Sequence, residues 1–244
     1  MYKRQPPGWL GGGQGGGAVA FTPKAIAGLQ LWLRADLGIT LNVAAVSAWA
    51  DQSGVGDANR NAVQATGALQ PAFTASNASY NNKPTVTASG SQLLQTGTWL
   101  AGIAPPITAY VVGHTTSNAG QDGMLGGTVA FLVQDLLGAA QIVGESSNVQ
   151  AASGTLNTPS ISYYIADGAS SAIGRNAKTA IKTGTVGAGF TDTKFSIGNF
   201  GGGGANAMNG PMAEAIIYTG HHSAGQIAQV MAYLGARYNI AIGA

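Results

Sequence analysis

The chain reads as an all-β sandwich closed by one C-terminal helix, and three observations carry that reading. Leu29, Leu31 and Leu33 alternate with Gln30, Trp32 and Arg34, the period-2 pattern of a strand with two different faces. Apolar runs recur after it with turn residues between them, which favours a sandwich over a βαβ arrangement. Near the end, Ile227, Val230, Met231, Leu234 and Tyr238 fall at i, i+3, i+4, i+7 and i+11, one apolar helix face.

Residues 1–21 stand apart from the rest. Lys3 and Arg4 precede two prolines and the pair Trp9-Leu10, and a glycine-rich stretch follows. The expectation is a flexible docking peptide and linker over 1–21, then a single domain over 22–244. Lys3 and Arg4 would meet acidic groups on a partner, and Trp9 and Leu10 would insert into it.

Within the domain, the strand at 29–34 leads to AWADQSG (48–54), a tryptophan followed by turn chemistry. Asp51 is expected to close that turn by accepting backbone N–H groups. Trp32 and Trp49 are read as core or sheet-covering residues and not as sugar platforms. KPTVTASG (83–90) holds a short strand around Val86. ITAYVVGH (107–114) is a continuous apolar run, as in a central strand buried on both faces. VAFLVQ (129–134) and SISYYIADG (160–168) follow. In the latter, Ile161, Tyr163 and Ile165 share one face, Ser162, Tyr164 and Ala166 share the other, and Asp167-Gly168 signals a turn. KFSIGN (194–199) and AEAIIYTG (213–220) complete the strands. Ser223 and Gln226 form a capping box at the start of the helix.

Composition bounds the function. The chain has 244 residues, 45% of them hydrophobic, so it can bury a substantial core. Only 8% are charged, against about 25% in ordinary globular proteins. Such a surface suits contact with a neighbouring subunit or a sugar. A net charge of +2 does not suggest a nucleic-acid groove. The absence of cysteine rules out disulfides, thiolate metal sites and cysteine nucleophiles, and suits folding in a reducing cytoplasm. The first residues lack the apolar core of a secretory signal. No run of about 18 apolar residues suggests a membrane span.

The opening WLRADLGIT (32–40) with WADQSG (49–54), and the close, carry a resemblance. The close comprises FSIGNF (195–200), then Gly210, Ala213, Glu214, Ile216, Ile217 and Tyr218, then Tyr233, Leu234, Arg237 and Tyr238. This pattern, from Thr22 to Ile240, resembles the concanavalin A-like (laminin G-like) jelly rolls that recur in bacteriophage virion proteins and bacterial surface proteins. The resemblance implies a concanavalin A-like jelly-roll β-sandwich with one short C-terminal helix. It further implies a non-enzymatic virion structural protein, a capsid decoration or a tail or fibre component, displaying a lectin-like domain towards host surface glycans. Such a protein would be made in the host cytoplasm, would bind other virion proteins through its tail, and would form a homo-oligomer or array. The alternative is a carbohydrate-binding module of a bacterial surface or secreted protein.

Catalytic patterns are missing from the sequence. Glucanases of this fold carry E-x-D-x-x-E, which sets two carboxyl groups about 5 Å apart. Here the two glutamates, Glu145 and Glu214, have no acid at i+2 or i+4. There is no G-x-S-x-G, and neither glycine run (11–17, 201–204) opens a nucleotide-binding helix. Glu214 is read as a structural carboxylate bonding a rim backbone or Arg34. His221 and His222 point to opposite sides of extended backbone and are read as exposed turn residues, and His114 is read as structural. No metal site and no cofactor are expected, and no acid cluster argues for calcium. What remains is binding by the loops 115–124 and 199–210. Asp122, Asn199, Asn206 and Asn209 would supply hydrogen bonds, and Trp99 or Phe200 the aromatic face for a carbohydrate.

Overall fold

A computed structural model describes residues 21–117, 121–136, 139–145, 147–151, 155–199 and 207–244. Among them run seventeen strands and one α-helix. The strands are β1 (Leu29–Arg34), β2 (Ile39–Asn42), β3 (Ala45–Trp49), β4 (Ala62–Val63), β5 (Ala72–Asn77), β6 (Lys83–Ser89), β7 (Leu94–Thr96), β8 (Ile107–Gly113) and β9 (Gln121–Gly127). They continue with β10 (Leu132–Leu136), β11 (Ala139–Gly144), β12 (Ser147–Ala151), β13 (Ser160–Ala166), β14 (Ser171–Arg175), β15 (Lys182–Gly184), β16 (Phe195–Ile197) and β17 (Asn209–Thr219). The helix α1 spans Ala224–Tyr238.

Every pairing between these strands is antiparallel. One sheet runs β1-β17-β8-β13-β14-β15. The other runs β2-β3-β4-β7-β16-β9-β10-β11-β12. β6 joins the first half of β17 and carries β5 beside it. First and last strands of the first sheet's sequence thus lie side by side, with Arg34 opposite Glu214.

Two apolar cores follow from this arrangement. The larger lies between the sheets and includes Leu31, Leu33, Trp49, Val111, Leu125, Phe131, Tyr164, Phe195 and Ile217. The second lies between the outer face of the β1–β15 sheet and α1, and joins Trp32, Tyr110, Val112, Ile161, Tyr163, Ile165, Ile216 and Tyr218 to Ile227, Val230, Met231, Leu234 and Tyr238. β8 and β13 are therefore buried on both faces, as their apolar runs predict, and the two faces of β13 divide as read from the sequence. A bulge between Leu29 and Leu31 turns Leu29 to the helix side although Leu31 and Leu33 face the other sheet.

The capping box of α1 forms as predicted, with Ser223 accepting from Gln226 N and Gln226 accepting from Ser223 N. One strand starts later than expected. VAFLVQ begins with a turn, because the buried carboxylate of Asp192 takes the N–H groups of Val129 (2.6 Å) and Phe131 (3.1 Å), and β10 starts at Leu132. Gly127 leaves the space this carboxylate occupies, since a Cβ there would collide with it.

Candidate functional site

The opening and closing motifs of the chain meet around one buried carboxylate. Glu214 Oε1 accepts from the Trp32 indole at 2.6 Å and from the Tyr233 hydroxyl at 3.3 Å. Oε2 accepts from Tyr238 at 2.8 Å and lies 3.4 Å from Arg237 Nε. Arg237 also pairs with Asp36, which Arg34 holds through two bonds of 3.2 and 3.0 Å. Burial pushes the Glu214 carboxyl upward against the pull of Trp32, Tyr238 and the two arginines. The structural role expected of Glu214 holds, with a different partner set: Arg34 engages Asp36, and the indole and phenols take the glutamate. Asp51 closes its turn as expected, accepting from Trp32 N at 2.8 Å and Ser53 N at 3.0 Å.

The residues expected to bind sugar divide three ways. Asp122 and Asn209 do come together, with Asp122 Oδ1 accepting from Asn209 N at 2.9 Å, and Thr116 N bonds Asn209 O at 2.7 Å. Thr116 and Asp122 thus both meet Asn209, but Asp122 and Asn199 are buried and engaged within the fold. Trp99 is not a platform. It lies at the opposite end of β16, 3% exposed, with its ring against Phe195 (4.6 Å) and the Arg60 guanidinium (4.0 Å) and its N–H on Thr96. The Thr-Gly-Thr-Trp segment folds it inward because Thr96 and Thr193 offer partners there. Phe200 and Asn206 lie outside the described residues, as do Lys3, Arg4, Trp9 and Leu10.

The histidines also differ from expectation in part. His221 is exposed and bonds Asp167 at 2.7 Å. His222 is buried, with Nδ1 2.9 Å from the Tyr110 hydroxyl and its ring 4.3 Å from Tyr218. Burial, then His221, lowers its pKa to about 4. The sequence places both on extended backbone with opposite directions, but only the packing against β8 and β17 shows which one is covered. His114 is structural as read, bonded to Tyr80 at 2.7 Å.

An open concavity among the described residues lies elsewhere, along α1. It measures about 750 Å³ and is lined by Gln229, Ala232, Tyr233, Ala236 and Arg237 of the helix, by Asn81 and Lys83, and by Phe21. The helical five stand at i, i+3, i+4, i+7 and i+8, a second stripe beside the core stripe. The alanines leave room, and Tyr233 packs edge-on against Phe21 at 5.9 Å. Asn81 Nδ2 bonds the Arg237 carbonyl at 3.0 Å, which ties the far wall to the helix. Tyr233 and Arg237 are shared with the Glu214 network, which ties the groove to the buried carboxylate. Aromatic edge, amides and cations converge on a cleft within the range of small-ligand sites, about 300–1,000 Å³. This stripe of small and aromatic residues is the signal that the sequence carries for the groove.

No protein-family model and no curated protein matches the chain. Solved structures do. Trypanosoma rangeli sialidase in complex with the inhibitor DANA superposes with TM-score 0.56 at 12% identity, over 88% of this chain and 34% of that one. Domain 4 of AbnA, a GH43 extracellular arabinanase from Geobacillus stearothermophilus in complex with arabinotriose, gives 0.57 at 13%, over 83% and 98%. A GH54 α-L-arabinofuranosidase gives 0.57 at 14%, over 80% and 51%. The chain spans about a third of the sialidase's length. At these identities the likeness shows the fold: the chain is an all-β, concanavalin A-like jelly-roll sandwich with one C-terminal helix.

Proposed function

We propose that this domain is a non-catalytic glycan-binding module displayed on a phage virion, with the α1 groove as its ligand surface. The observation that carries the binding reading is the groove itself, where Phe21 and Tyr233 offer aromatic surface and Asn81, Gln229 and Lys83 offer hydrogen bonds. Such a mixture suits a sugar ring, whose faces are apolar and whose edges are hydroxyls. The AbnA domain, matched over nearly its full length, is a structure with arabinotriose bound, which supports the reading by analogy of fold.

The chemistry of the groove supports binding over hydrolysis. None of its described lining residues is a carboxylate. Tyr233 does touch Glu214, and sialidases use a tyrosine nucleophile. Here burial and the glutamate charge push the phenol upward in pKa, which disfavours the phenolate. Placement on a virion rests on the motif resemblance, the cysteine-free, low-charge composition and the peptide-plus-linker layout of residues 1–21.

A glycan array read with the intact chain and with Ala232→Trp tests the binding reading. Ala232 is exposed in the groove, so the indole fills it without disturbing the core. Loss of array binding with an unchanged melting temperature is expected, and binding that survives the substitution overturns the groove. Turnover of a 4-methylumbelliferyl glycoside would replace the reading with an enzyme. Deleting residues 1–17 should abolish incorporation into particles while the domain stays folded. Incorporation that survives the deletion would overturn docking through residues 1–17, and an intact chain that does not incorporate would point to a module of another kind of protein.

A further inference from the structure

Resting on the groove reading above, we infer that the ligand is an acidic sugar, a pyranose bearing a carboxylate, and that Lys83 is the residue that selects it. The two cations at the groove stand in different situations. Arg237 faces Asp36 and Glu214 and is neutralised by them. Lys83 has no ion pair among the described residues, although it is only partly exposed and lines the same cleft.

The groove therefore presents one uncompensated positive charge with no acid beside it. The eleven basic residues are scattered over 244 positions, and Lys83 is the lysine that lines this cleft. Tyr233 and Phe21 form the apolar side of the cleft, Gln229 stands on the helix wall, and Asn81 and Lys83 stand on the opposite wall. A ring bound along Tyr233 shares the cleft with Asn81 and Lys83. A hydroxyl there gains a hydrogen bond, whereas a carboxylate gains a charge-assisted one. Lysine suits this task, because its ammonium is a mobile point charge that does not demand a fixed bidentate geometry.

Two carbohydrate classes carry this chemistry, uronic acids and sialic acids, and matched pairs separate charge from shape. Trigalacturonate and its methyl ester form one pair, and 3′-sialyllactose and lactose the other. Titration calorimetry with the intact chain is expected to show binding of at least one acid and at least tenfold weaker binding of its neutral partner. Lys83→Gln should weaken the acid about tenfold and leave the neutral partner unchanged, in line with one charge-assisted hydrogen bond. Lys83→Glu should abolish acid binding, and Lys83→Arg should retain it. Melting temperatures of the variants should match the parent, since no described side-chain bond of Lys83 is removed. The arm that binds tells the uronic from the sialic source. Equal binding of acid and neutral partners, blocked by Ala232→Trp, overturns the acidic ligand and leaves the groove standing. Acid binding that survives Ala232→Trp overturns both. Failure of both acids to bind overturns the acidic ligand, and the array then judges the groove alone.

Discussion

The indole N–H of Trp32 donates to Glu214 across 182 residues of sequence, joining the first strand of the sandwich to the last at 2.6 Å. Both side chains are buried, and the same carboxylate takes the hydroxyl of Tyr238 from the helix. One glutamate thus ties β1, β17 and α1 together. A buried carboxylate is tolerable only while its donors are present.

Removing one donor should therefore cost more than a neutral hydrogen bond. Trp32→Phe should destabilise the domain by about 2–4 kcal/mol, combining lost indole volume with an under-bonded carboxylate. Glu214→Gln should also destabilise, and the double variant should lose less than the sum, with a coupling of about 1–2 kcal/mol. Urea unfolding of the four proteins measures the cycle. Additive losses would show that the two residues act independently.

Trp99 should behave as a core residue. Trp99→Ala removes the ring that fills space against Phe195 and beneath Arg60. The expected loss is about 3–5 kcal/mol in urea unfolding. Glycan binding by the remaining folded fraction should be unchanged, because the ring does not reach the groove.

His222 should make stability depend on pH in a defined window. Its folded pKa of about 4 lies below the ordinary 6.5, so between these values the unfolded chain holds the extra proton. Stability is then full above 6.5 and falls as pH drops towards 4, by roughly 2 kcal/mol after allowance for solvent screening. Glu214, raised by burial, acts in the opposite sense, so the quantity to measure is the difference between the parent and His222→Gln. Melting temperatures from pH 4 to 8 should converge at the acid end. Parallel curves would rule His222 out as the titrating group.

Val43 should be a site of removable strain. It sits at the tip of the β2–β3 hairpin, 95% exposed, with φ of 59°. A β-branched residue is poorly suited to left-handed backbone. Val43→Gly should raise stability by about 0.5–1 kcal/mol, visible as a higher melting temperature. A fall would mean that the valine makes contacts that outweigh its backbone cost.

Legibility in the sequence followed the physics of each element. β8, β13, β17 and α1 were readable because burial on two faces, or on one helical stripe, leaves a dense apolar pattern. β9 was not, because QDGMLGG carries no alternation, and its place is set by its neighbours β10 and β16. Asp51 and Ser223 could be assigned because their bonds reach residues two or three positions away. The partners of Glu214 and the burial of His222 and Trp99 depend on residues far along the chain.

The sequence by itself determined an all-β domain, its capped helix, its lack of thiol chemistry and the two motifs that mark its ends. These are local properties, written in periodicity and composition. Only the tertiary structure decided that the motifs meet at Glu214, that Trp99 turns inward, and that Ala232, Tyr233 and Ala236 border an open groove beside Lys83. A strand or helix records in its own residues which faces are apolar, but not which distant element will cover them, and the surface left uncovered emerges only when all the elements have packed.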